Sequence, residues 1–83
     1  MTKVDLDLLA FMMIELGKEP LRRKRFLLVL QVKQDMPVSM FNSYLRFLKE
    51  KRWIEKENGK MGRYSLSPRG TAFLEGWRRS HQN

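Results

Sequence analysis

The stretch PVSMFNSYLRFLKEKRWIEKENGKMGRYSLS, residues 37–67, decides the fold of this 83-residue chain. Its apolar residues recur at helical spacing as far as residue 52, and two short β-prone segments then flank an Asn-Gly turn. The pattern predicts a helix over 38–52 followed by a β-hairpin over 53–66. We expect the segments on either side to hold this unit in place.

The predicted helix over 38–52 has one apolar and one polar face. Its buried positions are expected to be Phe41, Tyr44, Leu45 and Leu48. The opposite face carries short hydrogen-bonding residues and longer cations, namely Ser39, Asn42, Ser43, Arg46 and Lys49. These side chains are of the types that read base edges in a major groove, where Asn pairs with adenine and Arg with guanine. An ordinary solvated helix face is an equally good interpretation of the same residues.

The predicted hairpin has a basic tip. Its turn at 58–62 holds two glycines and an asparagine, which are residues that favour turns. Lys60 and Arg63 lie at this tip, from where they are expected to reach phosphate or the minor groove. Gly62 has a second interpretation, because a β-bulge can require glycine without any ligand.

The first helix is predicted over 5–17, from apolar residues at helical spacing. Asp5 is its expected N-cap, and Gly17 is the expected residue just after its end. Apolar residues extend beyond one face of this helix. That width is typical of a helix that is buried on most sides or that meets a second subunit.

Two more helices are predicted, over 21–34 and over 68–79. Ser67 is the expected N-cap of the last helix, and Pro68 suits its first position. The candidates at the start of the helix over 38–52 are Asp35 or Ser39 as the N-cap, with Pro37 in the first turn.

Positive charge is concentrated in the middle of the chain. The formal net charge is +8, from 17 basic and 9 acidic residues. Residues 21–56 hold ten basic and three acidic side chains, whereas residues 1–20 carry a net charge of −2. A polyanion is the natural partner for such a surface, and a solvated basic surface is the alternative.

A run of four cations, Arg22, Arg23, Lys24 and Arg25, stands at the start of the second predicted helix. The helix dipole is positive at that end, so each charge there costs roughly 0.3 kcal/mol or more. Such a local conflict suggests another use. Phosphate contact is the use we expect of Arg22, Arg23 and Arg25, although a solvated charge run explains any one of them equally well.

The composition argues against several classes of protein. The chain has no cysteine and a single histidine, His81, so it has no disulfide framework and no zinc site of Cys and His ligands. No nucleophile–base pair and no phosphate loop is evident, and we therefore predict no enzyme activity, cofactor or metal. His81 is expected to be an exposed bystander. The apolar runs are far shorter than the ~20 residues of a membrane span, and no signal peptide is evident, so a cytoplasmic protein is expected.

The segment YLRFLKEKRWIEKENGKMGRYSLSPRG, residues 44–70, resembles the winged helix-turn-helix domains of archaeal regulators and of the multiple-antibiotic-resistance (MarR) type family. It is similar to their pattern of YLxxLxxKGLIE, a glycine turn and YxLTPKG. The matching residues are Tyr44, Leu45, Leu48, Lys51, Ile54, Glu55, Tyr64, Leu66, Pro68 and Gly70. Arg52 stands where the family usually has glycine. The resemblance implies a winged helix-turn-helix fold, mainly α with a small β-hairpin.

The resemblance also implies a double-stranded DNA-binding protein, most simply a small transcriptional regulator that acts as a homodimer. The long dimerisation helices of the larger family members are absent, so the first and last helices are expected to form the dimer. Helix 38–52 would lie in the major groove, and the wing at 58–63 would lie on the flanking backbone or in the minor groove. The side chains assigned to bases are Asn42, Ser43 and Arg46. Those assigned to phosphates or groove edges are Ser39, Lys49, Lys60 and Arg63.

Two other classes of function fit less well. Winged helices also serve as protein–protein interaction modules in larger complexes, and the broad apolar surface of the first helix fits a partner protein. An RNA-binding protein ranks below both, because RNA recognition uses exposed aromatic side chains and the aromatic residues here are expected to be mostly buried.

Overall fold

The computed structural model describes residues 4–59 and 61–81 of the chain. Over these ranges the chain is mainly helical, with four helices: α1 (Leu6–Lys18), α2 (Arg23–Gln34), α3 (Val38–Glu50) and α4 (Pro68–Ser80). The same ranges hold one antiparallel sheet of three short strands: β1 (Leu21–Arg22), β2 (Ile54–Lys56) and β3 (Arg63–Leu66). The predicted class, mainly α with a small β element, is confirmed.

Strand β3 lies in the centre of the sheet, between β1 and β2. The paired residues of β1 and β3 are Leu21 with Tyr64 and Arg22 with Arg63. The prediction of a two-stranded hairpin missed β1, because a strand of two residues is too short to show alternation of polar and apolar side chains. Pro20 explains why α1 ends, since its ring cannot continue the helix and it favours an extended conformation at Glu19, whereas β1 itself forms by pairing with β3.

The helix bounds differ from the predicted ones. Helix α2 begins at Arg23 rather than at residue 21, because residues 21–22 belong to β1. Helix α1 runs through Gly17 to Lys18, so the assignment of Gly17 to the position after the helix was wrong. Helix α3 ends at Glu50, two residues before the predicted end.

The connection from α2 to α3 also differs from the prediction. Asp35 ends α2 with a left-handed φ of 52°, which Asp tolerates better than most residues, and its N–H donates to the Gln31 carbonyl at 3.1 Å. Asp35 therefore does not cap α3, and Ser39 lies inside the helix. Pro37 itself occupies the N-cap position rather than a place in the first turn.

The core is formed mainly by α1, α2 and α3. The rings of Phe26 and Phe41 meet edge to face, with 5.4 Å between their centroids. The four α3 residues that were predicted to be buried are all buried, which confirms that prediction: Phe41, Tyr44, Leu45 and Leu48. The Tyr44 hydroxyl accepts a hydrogen bond from the N–H of Asp5 at 2.9 Å and so ties α3 to the start of α1. Asp5 caps α1 as predicted.

Helix α3 ends in a tight turn at Arg52, whose φ is 60°. The Arg52 N–H donates to the Lys49 carbonyl and the Trp53 N–H donates to the Leu48 carbonyl, both at 3.1 Å. These two hydrogen bonds are those of a Schellman motif, in which the left-handed position is usually glycine. Arg52 thus adopts a left-handed conformation that glycine most often supplies at the end of a helix.

Helix α4 begins against this turn. The Ser67 hydroxyl accepts a hydrogen bond from the Gly70 N–H at 3.0 Å, which confirms Ser67 as the N-cap, and it donates to the Arg52 carbonyl at 2.7 Å. A Cβ at position 70 would overlap the carbonyl oxygen of Trp53 and lie 2.8 Å from a methyl carbon of Leu66. Glycine at position 70 therefore allows α4 to pack directly on the backbone that follows α3.

Candidate nucleic-acid interface

The exposed side of α3 divides into two edges. Because successive residues of a helix are about 100° apart, the polar residues predicted to share one face separate into two rows. The first edge carries Ser39, Ser43, Arg46 and Glu50, which line one shallow groove with Met40 and Phe47. The second edge carries Asn42 and Lys49, on the side of α3 that faces the start of α2.

The first edge of α3 presents side chains that are free to bind a ligand. Ser39, Ser43 and Arg46 are exposed, and none of them takes part in the side-chain hydrogen bonds or ion pairs found within residues 4–59 and 61–81. Glu50 lies one turn beyond Arg46 on the same edge and was not among the predicted site residues. A carboxylate at this place can accept a hydrogen bond from cytosine N4, and it repels phosphate.

The second edge of α3 is already engaged within the protein. The Asn42 side-chain oxygen accepts a hydrogen bond from the Arg23 guanidinium, which also lies 5.5 Å from the centre of the Phe41 ring. An asparagine that pairs with adenine uses both its oxygen and its nitrogen. The hydrogen bond from Arg23 uses one of the two lone pairs of this oxygen and so constrains the orientation of the Asn42 amide. The predicted base contact of Asn42 and phosphate contact of Arg23 therefore depend on one another.

The four cations at 22–25, which we call the basic cluster, are exposed at the start of α2. The basic cluster lies beside the sheet, since Arg22 belongs to β1 and pairs with Arg63 of β3. Arg22, Lys24 and Arg25 form no ion pair within the described residues. The structure therefore brings the predicted phosphate-binding residues of α2 next to the hairpin on one side and next to α3 on the other.

Arg63 is paired rather than available. Its guanidinium donates two hydrogen bonds to the carboxylate of Glu57, at 2.9 and 3.2 Å, and its backbone N–H donates a third at 2.8 Å. These bonds lower the pKa of Glu57 to about 2 and raise the pKa of Arg63. Arg63 can contact a phosphate only by sharing its charge with Glu57. The other residue predicted at the tip, Lys60, lies outside the described residues.

Two lysines outside the candidate interface are tied to a buried carboxylate. Glu15 of α1 accepts hydrogen bonds from Lys33 at 2.8 Å and from Lys18 at 3.3 Å. Burial raises the pKa of Glu15, but the two lysines outweigh it, and the pKa lies below its ordinary value. The hydrogen bond to Glu15 in turn raises the pKa of Lys33. The charges of Lys18 and Lys33 are thus partly neutralised within the fold.

One cation near the basic cluster was missed by the sequence analysis. The ammonium group of Lys56 in β2 lies 5.9 Å from the centre of the Tyr64 ring. Together with the basic cluster, Lys56 lines a groove between the start of α2 and the hairpin. The sequence offered no signal for this placement, because the approach of β2 to the start of α2 depends on how the sheet is assembled.

Helices α1 and α4 meet on the chain's other candidate contact surface. The Trp77 indole N–H donates to Asp7 at 3.3 Å, and the His81 ring stacks on Trp77 at a centroid distance of 4.4 Å. Leu8 and Phe11 of α1 are half-buried beside them. His81 is exposed, as predicted.

None of the helices within residues 4–59 and 61–81 is both long and apolar enough to cross a membrane. In the same part of the chain, no three His, Asp or Glu side chains are grouped so that they could hold a metal ion. Comparison of the chain with protein-family models, with curated proteins and with solved structures finds no match.

Proposed function

We propose that this chain is a double-stranded DNA-binding protein of the winged helix-turn-helix type, most simply a small transcriptional regulator. The order of its long elements supports the proposal: three helices, a hairpin and a final helix follow one another as the resemblance implies. The charge distribution supports it as well, because the surplus of positive charge lies in the part of the chain that would meet DNA.

The observation that carries the proposal is the unpartnered first edge of α3 together with the exposed basic cluster, which lies beyond the second edge of the same helix. Ser43 and Arg46 have the side chains that read bases, and they make no side-chain hydrogen bond or ion pair elsewhere within the described residues. In the proposal α3 enters the major groove by this edge, while Arg22 and Arg25 bind the phosphates beside it. Lys49 and Asn42 then lie between the base-reading edge and these phosphate contacts.

The proposal is tested by fluorescence anisotropy with a labelled random duplex over a salt series. If about six phosphates are neutralised, the logarithm of the binding constant falls with the logarithm of salt concentration at a slope of about −5. A protein that fails to bind duplex at low salt, or that binds it equally at all salt concentrations, would contradict the proposal. Selection from a random library then separates a regulator from a protein without sequence preference.

Arg46→Ala tests the base contact. We expect this variant to bind its selected site about 1–3 kcal/mol more weakly, because a guanine contact is lost, and to discriminate less at one position of the site. Arg79→Ala removes the same charge from the last turn of α4 and is the matched control. Equal losses in the two variants would mean that Arg46 contributes charge and no base recognition.

We also propose that the protein acts as a homodimer through the α1–α4 surface. Half-buried Leu8, Phe11 and Trp77 give this surface an apolar centre that a second copy would cover. Sedimentation velocity tests this proposal. We expect a dimer whose dissociation is promoted by Leu8→Glu but not by Val38→Glu, an equally drastic change at an exposed position of α3. A folded wild-type monomer at high concentration would contradict it.

A further inference from the structure

A groove of about 760 Å³ separates the start of α2 from the hairpin. Its floor is apolar, formed by Leu27, Leu28, Met61 and Tyr64. Leu28 is 48% exposed and Met61 is 70% exposed, although both are large hydrophobic residues. Val32, one turn beyond Leu28 on α2, is 76% exposed and extends the apolar strip away from the groove. Two exposed apolar side chains that line one groove, with a third one helical turn away, indicate a surface for a partner.

The rim of the groove is positively charged. It consists of the basic cluster at 22–25 together with Lys56 on the opposite side. The cations of the rim favour a ligand with negative charge at its edges, and the apolar floor favours a ligand with an apolar stripe in its middle. A duplex backbone offers the charge but leaves the floor of the groove without an apolar partner, because phosphates and sugars carry no such stripe.

We propose that this groove binds an acidic amphipathic helix of a partner protein. Such a helix lays leucine-type side chains, spaced three and four residues apart, on an apolar floor. Its flanking Asp and Glu residues then face the arginines of the rim, where bidentate pairing with carboxylates is strong. The groove thus recognises a combination of charge and apolar spacing that neither a polyanion nor a neutral apolar helix provides.

The inference has a regulatory consequence that depends on the proposed DNA binding. Arg22 and Arg25 belong both to the rim of the groove and to the proposed phosphate contacts. An acidic helix seated in the groove occupies these two side chains, so it competes with the duplex. The partner would therefore release the protein from DNA, whereas the occupancy of the groove itself requires no DNA binding.

The test uses a fluorescein-labelled peptide of about 14 residues, roughly four helical turns, with leucine along one face and glutamate elsewhere. A control peptide has the same composition but distributes its leucines evenly around the helix. We expect anisotropy to report tight binding of the first peptide and weak binding of the second. No binding of the first peptide at low salt, or equal binding of both peptides, would overturn the proposal.

Variants locate the peptide on the protein. We expect Leu28→Ser combined with Met61→Ser to weaken peptide binding roughly tenfold, because two apolar contacts are truncated. Val38→Ser is the matched control, since Val38 is 47% exposed and lies on α3, outside the groove. Thermal unfolding checks that each variant is folded. A double variant that binds the peptide as tightly as the wild type would overturn the site.

A competition experiment separates the groove from the proposed DNA surface. Unlabelled amphipathic peptide is expected to displace a labelled duplex, and Leu28→Ser, which changes no residue assigned to DNA, is expected to weaken peptide binding but to keep its duplex affinity. Loss of duplex and peptide binding together in that variant would show a nucleic-acid surface only and would overturn the groove as a protein site. If the wild type binds no duplex, the DNA proposal fails, but the two peptide measurements still decide the groove.

Discussion

Two helices of this chain begin in opposite ways. At the start of α4, the Ser67 side chain caps the helix and Pro68 fills the first position, where a missing N–H does no harm. At the start of α2, Arg22 occupies the cap position with no side-chain hydrogen bond to the helix, and the next three residues are cations. The start of α4 has one N–H bound by the Ser67 hydroxyl and one N–H absent at Pro68, whereas the start of α2 adds positive charge to its free N–H groups.

The difference separates what holds the fold together from what is available for a ligand. At the start of α4, the Ser67 hydroxyl is hydrogen-bonded to the Arg52 carbonyl and Gly70 packs on the backbone of Trp53, so neither residue is available to a ligand. The charges at the start of α2 repel the helix dipole, at a cost of about 0.3–1 kcal/mol each in exposed positions. In the proposed function, binding of a polyanion would offset this cost.

Gly70→Ala is expected to have the largest effect on stability. A methyl group at position 70 would collide with the backbone of Trp53, which cannot move without displacing β2, so we expect a loss of about 2–3 kcal/mol. Gly76→Ala is the control on the same helix, because nothing lies within 4 Å of a Cβ there. The control should gain up to about 1 kcal/mol from helix propensity. Urea unfolding measures both, and equal effects would contradict the packing argument.

Ser67→Ala removes the hydroxyl that caps α4 and adds no atoms that could collide with neighbouring residues. The variant loses the cap on the Gly70 N–H and the donor to the Arg52 carbonyl in a buried place, and we expect a cost of about 1–2 kcal/mol. Ser67→Thr should restore most of this loss, because threonine retains the hydroxyl. A Ser67→Ala variant as stable as the wild type would mean that water replaces both hydrogen bonds.

The sequence predicted the part of the fold that depends on periodicity and caps. The four buried residues of α3, the cap at Ser67 and the cap at Asp5 are local signals, and the structure confirms all of them. Strand β1 carried no such signal. Its two residues are extended because β3 offers them a pairing edge, and the position of that edge is a tertiary property.

The sequence predicted which residue types lie at the candidate site but not which of them are hydrogen-bonded to one another. Serines and cations on α3 were identified correctly as exposed, whereas the engagement of Asn42 by Arg23 joins residues 19 positions apart. The pairing of Arg63 with Glu57 likewise depends on how the hairpin closes. The spacing of residues in the sequence predicts which side chains lie on an exposed face. Which of these side chains are hydrogen-bonded to other residues of the protein depends on the tertiary fold.

Arg22→Ser would make the start of α2 resemble that of α4. Arg22 has φ −69° and ψ 155°, the backbone conformation of a capping residue, so a serine there can accept a hydrogen bond from the helix. We expect about 0.5–1 kcal/mol of added stability in urea unfolding. Lys24→Ser removes the same charge inside the helix without supplying a cap, so the difference between the two variants measures the cap. No gain relative to Lys24→Ser would mean that the cap does not form.

Arg25→Gln is expected to have the smallest effect on stability and a clear effect on binding. The exposed side chain has no ion-pair partner among residues 4–59 and 61–81, so unfolding should change by no more than about 0.5 kcal/mol. Duplex affinity should fall, with the slope against salt reduced by about one.

Lys33→Gln removes the same charge from the other end of α2, where it leaves the buried Glu15 carboxylate short of a partner. That variant should be less stable yet bind duplex almost normally. The two ends of one helix would then separate binding from stability, and a loss of stability without a loss of binding in Arg25→Gln would place the basic cluster in the fold instead.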